Sequence, residues 1–300
     1  MRVLALFGPT GVGKTDVAIA VADRLRERGE DPVAVSCDAL QVYRGLEVLT
    51  GAASAEERER LEHRMQGVAH PTEEFSAGRF AELARQEIDG LLAEGRRPIV
   101  VGGTGLYLRA ALTELDLRPP AGRDVREGLE RELAEVGPAA LHGRLSPASA
   151  AMVHPNDRKR IVRALELEQT GAEPNPASDQ LWSEELRRPA TLFGITMDRD
   201  TLAARIEARV GEMLAGGAVE EVERALERGA SRTARKALGF KEIAAHLAGA
   251  ATLEEVRERI ERGHRAYVRR QLTWMRKLSG VEVIDRTGLP ARDVAERIAS

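Results

Sequence analysis

One cysteine, Cys37, is present in 300 residues, so no internal disulfide can form. No apolar run approaches the length of a bilayer crossing, and no membrane-spanning helix is expected. Met1 leads directly into a strand-like run rather than a signal peptide, which points to a cytoplasmic protein. The histidines His63, His70, His142, His154, His246 and His264 show no paired spacing with cysteine, which argues against structural zinc. An excess of positive charge is also lacking. Against 45 Lys and Arg stand 48 Asp and Glu, giving a net charge of −3, which argues against indiscriminate coating of nucleic acid, so any nucleic-acid surface must be local. Internal repeats and low-complexity tracts are absent.

What is present is a chain with 43% hydrophobic residues, enough to bury one large core or two smaller ones. Apolar, β-favouring runs at residues 3–7, 32–37, 98–101, 191–195 and 281–284 alternate with long helical patterns, which predicts an α/β fold with a parallel sheet. Between residues 119 and 188 the pattern is almost purely helical, punctuated by "RPPAG", "LSPASA" and "GAEPNPAS". This reads as a small all-helical insertion domain, dividing the core into residues 1–118 and 189–300.

The stretch "VLALFGPTGVGKTDVAIAVADRL" places Gly8, Gly13, Lys14 and Thr15 in the spacing G-x-x-x-x-G-K-[ST], after a strand and before a helix. The loop Gly8, Pro9, Thr10, Gly11, Val12, Gly13, Lys14, Thr15 therefore suits a polyphosphate. Its backbone amides and the helix N-terminus face anionic oxygen, Lys14 adds a charge, and Thr15 adds a hydroxyl for Mg²⁺. The loop identifies a diphosphate or nucleotide, not a reaction. Asp38 lies just past the second strand, at the carboxyl edge where α/β sites collect. The run "PIVVGGTGLYLRA" supplies a second backbone-rich loop, Gly102 to Gly105, in which Thr104 reads equally well as a helix cap. A turn or cap role is likewise open for Asp38.

Seven blocks, "GPTGVGKT", "SCDALQVYRGL", "PIVVGGTGLYLRA", "HPNDRKRIVRALELEQTG", "TMDRDTLAARIEARVGEML", "ALGFKEI" and "RRQLTWMRKL", stand in the order seen in the tRNA dimethylallyltransferase, or tRNA isopentenyltransferase, family, and the resemblance spans nearly the whole chain. It implies a P-loop NTPase-like sheet and transfer of a dimethylallyl group from dimethylallyl diphosphate to N6 of the adenosine immediately 3′ of a tRNA anticodon. The loop would then hold the diphosphate of an isoprenoid donor, with Mg²⁺ at Thr15. By the same resemblance Asp38 is the base that removes the amine proton, and Thr104 contacts the donor's bridging oxygen. Asp38, Ala39, Leu40 and Gln41 would hold the flipped adenine; for Gln41 a solvated loop position is the alternative. Arg205 and Arg209, spaced i, i+4, resemble arginines near the donor diphosphate, while pairing with Glu207 or Glu212 is the ordinary explanation of such charges.

The anticodon stem-loop contacts implied by the resemblance fall on Arg126, on Lys159, Arg160, Ile161, Val162 and Arg163, and on Lys236, Gly239, Phe240 and Lys241. For Lys159 a solvated helix face is the other reading. "RGHRAYVRRQLTWMRKL" carries six basic side chains and no acidic one, with Tyr267 and Trp274 seven residues apart, a spacing that suits either base stacking or a core stripe. The chain departs from the family where Asp-Ile-Gly-Thr-Ala-Lys-Pro is usual and "LEVLTGAAS" stands instead, with Thr50 and Gly51 kept and the lysine lost. A block resembling His-His-Leu-Ile-Asp reads "MQGVAHPTEEFSAG". A monomer is expected. The competing classes are a P-loop small-molecule kinase that uses ATP and a noncatalytic tRNA-binding protein.

Overall fold

A computed structural model of the chain describes residues 1–118, 122–171 and 181–299. The first and last of the three punctuating turns fall largely on residues 119–121 and 172–180, outside the described residues.

Two compact units are present, Met1–Glu114 with Trp182–Ser300, and Leu115–Leu181. The first is built on a six-stranded, wholly parallel sheet in the order β3-β2-β4-β1-β5-β6, with β1 Val3–Phe7, β2 Pro32–Ser36, β3 His63–Arg64, β4 Arg97–Gly102, β5 Ala190–Thr196 and β6 Val281–Asp285. Every residue of β1 and β2 is buried, the mark of parallel strands covered on both faces by helices. β1 is central, with Leu6 beside Val101 of β4 and Phe193 of β5. The sheet places the carboxyl ends of β1, β2 and β4 side by side, and the loops that leave them carry the motifs described above. α1 Lys14–Glu27 follows β1 and buries Val17, Ala18, Val21, Ala22 and Leu25, one face at helical spacing.

The remaining helices of this unit are α2 Glu47–Thr50, α3 Ala55–Arg60, α4 Ala77–Ala93 and α5 Gly105–Leu112 before the second unit. The second unit holds α6 Arg123–His142, α7 Pro147–Met152 and α8 Arg158–Gln169. After it the first unit resumes with α9 Arg199–Ala215, α10 Ala218–Glu227, α11 Phe240–Leu247, α12 Leu253–Lys277 and α13 Ala291–Ala299.

The helical unit has its own core of Leu129, Leu133, Leu141, Leu145, Ile161, Val162 and Leu165. α6 is interrupted at Gly137, whose φ of 80° precedes Pro138, a residue that lacks the amide proton needed to continue the ladder. The division falls at 114/115 and 181/182, where the sequence reading set it at 118/119 and 188/189. The later boundary moves because residues 182–188 are tied to the sheet unit. Arg187 donates its backbone N–H to Leu112 O at 2.9 Å and pairs with Asp89 at 2.9 Å, and Arg188 reaches the same carboxylate at 2.8 Å. Their polar spacing gave no such sign.

Candidate active site

The phosphate loop runs from Gly8 to Thr15 between β1 and α1. Gly13 caps α1 with φ 81°, a left-handed conformation that glycine adopts without strain. A Cβ there would also collide with the Arg286 guanidinium. That arginine, 5% exposed, follows β6 and donates through Nη1 to Val12 O at 2.9 Å and Gly13 O at 2.8 Å. By holding these carbonyls it fixes the direction of the loop's peptide planes. Sequence reasoning missed Arg286, since its partners lie more than 270 residues away in the chain.

Lys14 donates from Nζ to Gly8 O and Pro9 O, each at 3.0 Å, so its ammonium lies across the mouth of the loop. Burial lowers its pKa to about 8, with Asp38 opposing that shift and Arg209 adding to it. Lys14, Thr15, Asp38, Gln41, Arg209 and Tyr267 all line one cavity of about 120 Å³.

Asp38 sits two residues past β2, where Oδ1 accepts the Leu40 N–H at 2.9 Å. This Asx turn is the bland role foreseen for it, and it engages one oxygen. No hydrogen bond among the described residues engages Oδ2, so the carboxylate keeps a free face toward the cavity. Thr104 occupies the N-cap position of α5 but makes no capping bond. Its Oγ1 instead lies 3.4 Å from the Ala39 N–H and 3.2 Å from the Tyr267 hydroxyl. Of the two readings open for Thr104, capping is excluded by this geometry.

Gln41 differs from expectation in another way. Its Oε1 accepts from Ser36 Oγ at 2.9 Å and Gln66 Nε2 at 3.2 Å, and its Nε2 donates to Gly51 O at 2.9 Å. The half-buried side chain is not idle: it ties the 38–41 segment to the loop in which the family lysine is lost. Arg209 supports the same loop, donating to Thr50 O at 3.3 Å, and burial lowers its pKa while Asp38 opposes the shift. Arg205 pairs with Asp16 at 3.8 Å. Neither arginine pairs with Glu207 or Glu212. Both line a second, more open cavity of about 540 Å³ that shares Gly11, Gly13 and Thr15 with the first.

Among the described residues no three of His, Cys, Asp and Glu converge on a metal position. Asp38 brings the one carboxylate among the cavity's described lining residues, beside hydroxyls that include that of Thr15. So sparse a set fits Mg²⁺, which keeps most of its shell as water and phosphate oxygen.

The residues assigned to tRNA divide by exposure. Lys159 and Arg160 on α8, and Lys236 and Lys241 on either side of the Gly239 cap, are exposed. Ile161, Val162 and Phe240 are 0–2% exposed core residues, so their side chains pack the helices instead of meeting a partner. Arg126 and Arg163 both reach the buried Glu166, at 3.4 and 3.1 Å, and are therefore charge partners within the helical unit. Trp274 packs on Trp182 with ring centroids 4.9 Å apart, and Tyr267 lines the cavity; both rings are half-buried.

An "IPP transferase" family model matches residues 41–278, and an "Isopentenyl transferase" model matches residues 1–67. The chain is 44% identical to a tRNA dimethylallyltransferase of Anaeromyxobacter dehalogenans over 94% of each chain, and 42% identical to one from Thermobifida fusca over 92% of this chain and 87% of that one. A full-length tRNA isopentenylpyrophosphate transferase from Bacillus halodurans superposes with a TM-score of 0.71 at 34% identity, covering 99% of this chain and 95% of that one. A eukaryotic dimethylallyltransferase acting on tRNA gives 0.74 at 25% identity, covering 95% and 74%. With its P-loop NTPase-like sheet and these matches along nearly its whole length, the chain belongs to the IPP transferase family of tRNA dimethylallyltransferases.

Proposed function

We propose that this protein moves the dimethylallyl group of dimethylallyl diphosphate to N6 of the adenosine immediately 3′ of a tRNA anticodon, position 37. The observation that carries the reading is the shared cavity: Lys14 and Thr15 of the phosphate loop open into the same space as Asp38. A donor with an anionic leaving group and an acceptor that must lose a proton need these two chemistries side by side.

In this reading the diphosphate lies against the amides at the start of α1, where the helix terminus and the Lys14 ammonium favour anionic oxygen. As the allylic carbon–oxygen bond breaks, negative charge grows on the bridging oxygen and positive charge on carbon, so fixed donors stabilise the transition state more than the ground state. Thr104 donates toward that oxygen. The adenine N6 lone pair forms the new bond to carbon, and its proton passes to Asp38, whose Oδ2 is not engaged elsewhere. The Thr15 hydroxyl would hold Mg²⁺, which would supply further neutralisation of the leaving diphosphate. Arg209 and Arg205 add positive potential beside the loop. Exposed Lys159, Arg160, Lys236 and Lys241 suit the tRNA backbone. The same proposal has the protein act as a monomer on tRNA in the cytoplasm.

The test is incubation with dimethylallyl diphosphate, Mg²⁺ and unmodified tRNA without ATP, followed by nucleoside mass analysis. Prenylated adenosine at position 37 is expected. An absolute ATP requirement, or ATP turnover without tRNA, would return the chain to the kinase reading; binding without modification would leave a noncatalytic tRNA-binding protein.

A further inference from the structure

The inward face of α12 meets the second glycine loop residue by residue. Gln271, 3% exposed, donates from Nε2 to Gly103 O at 2.9 Å and accepts the Thr10 N–H on Oε1 at 3.0 Å. One turn earlier, the Tyr267 hydroxyl lies 3.2 Å from Thr104 Oγ1. Trp274 occupies the space that a Cβ on Gly105 would need, and Gln271 that of one on Gly103. A helix read in the sequence as a basic strip thus has a second face, at i, i+4 and i+7, that holds residues 103–105.

Polarity makes these contacts specific. The Thr10 N–H only donates and the Gly103 carbonyl only accepts, so a side chain bridging them must accept at one end and donate at the other. A primary amide does both; a carboxylate and a thioether of similar length do not. Gln271 therefore fixes the spacing between the phosphate loop and the loop that carries Thr104. The hydroxyl of Thr104 has one proton to give and two lone pairs to fill. Ala39 N–H fills one, and in the orientation where the Tyr267 O–H donates to the other the Thr104 proton is directed outward. Burial pushes the Tyr267 phenol up to about 12, with Asp38 adding to the shift, so it keeps a proton to donate through the neutral range.

We propose that Gln271 and Tyr267 are positioning residues for prenyl transfer, Gln271 setting the distance between the two loops and Tyr267 setting the Thr104 hydroxyl as a donor toward the leaving diphosphate. The proposal rests on the role given to Thr104 above.

The experiment uses the full chain as wild type, Tyr267→Phe, Thr104→Val, the double variant, Gln271→Met and Gln271→Glu. Single-turnover transfer at saturating dimethylallyl diphosphate and tRNA is read beside donor KM and thermal midpoint. Tyr267→Phe should slow transfer about 10-fold with little change in KM, and the double variant should be no slower than Thr104→Val within about 2-fold, because the phenol acts only through that hydroxyl. Losses that multiply in the double variant would overturn the assignment of Tyr267. Both Gln271 variants should lose about 10- to 100-fold in transfer; a folded variant that transfers at the wild-type rate would overturn the assignment of Gln271. Should they fail to fold, the Tyr267 and Thr104 cycle decides the proposal. A wild-type chain that modifies no tRNA overturns the proposed function together with this one, whereas an active wild type matched by its variants overturns this one alone.

Discussion

Arg126 Nη1 lies 3.4 Å from Oε1 of Glu166, a carboxylate with no exposed surface that Arg163 also reaches at 3.1 Å. Both arginines belong to the set that resembles tRNA contacts, yet each is already committed to a buried charge. Removing either leaves Glu166 with a single partner and should lower stability by about 1–3 kcal/mol, read as a fall in thermal midpoint. Among the described residues Lys159→Ala touches no ion pair, and Arg160→Ala only the exposed one with Asp157 at 3.5 Å, a pair of little energetic weight. They should leave the midpoint unchanged, weaken tRNA binding and each reduce the slope of log affinity against log salt by about 1. Equal salt slopes in wild type and the Lys159, Arg160 double variant would take α8 out of the RNA surface.

The lowered pKa of Lys14 gives donor binding a pH signature. Above pH of about 8 the free enzyme loses the ammonium proton that a diphosphate needs, so donor affinity should fall about tenfold per pH unit at constant Mg²⁺. Binding in that range takes up a proton, visible as a buffer-dependent heat. Lys14→Ala should weaken donor use and abolish both effects. For folding the sign is the reverse. The unfolded chain keeps this proton up to 10.5, so the contribution of Lys14 to stability rises between about 8 and 10.5, as the buried ammonium is neutralised.

Asp38→Asn is the cleanest probe of the base, since the asparagine Oδ1 still accepts from Leu40 N–H and preserves the turn. Transfer should slow roughly 10²–10⁴-fold with donor and tRNA affinity near normal. Wild-type single-turnover rates in a folded variant would remove Asp38 from proton transfer.

Arg286 should act on the donor and not on the RNA. Its two charge-assisted bonds hold the Val12 and Gly13 carbonyls, and its Nε has no hydrogen-bond partner among the described residues. Arg286→Met keeps bulk while removing both bonds, and donor affinity should fall by about 1.5–3 kcal/mol with tRNA affinity unchanged. Titration of dimethylallyl diphosphate and of tRNA against the same preparation separates the two.

The sequence announced what is local. Gly8 to Thr15 carry their spacing within eight residues, and five strands showed as apolar runs. β3 is only two residues, His63 and Arg64, and a pair has no period to detect. The side chains that brace the site were not legible either, because Gln271 and Arg286 meet the phosphate loop across 261 to 274 residues of chain. Gln41 shows the opposite limit. Its block was recognisable, but the engagement of its amide with Ser36, Gln66 and Gly51 is a property of packing that no motif encodes.

The central place of β1 has a consequence for synthesis. Its neighbours β4 and β5 are separated by the whole helical unit, so a chain leaving the ribosome carries β1 paired on one side while residues 103–189 are made. At 5–20 residues per second this interval is of the order of ten seconds. The helical unit, with its own core, is able to fold during that time, while an apolar strand edge beside the phosphate loop waits for β5. Nascent chains stalled in this window should therefore be the ones that recruit chaperones, and a chain arrested before Gln271 emerges holds the phosphate loop and the Thr104 loop without the side chain that joins them.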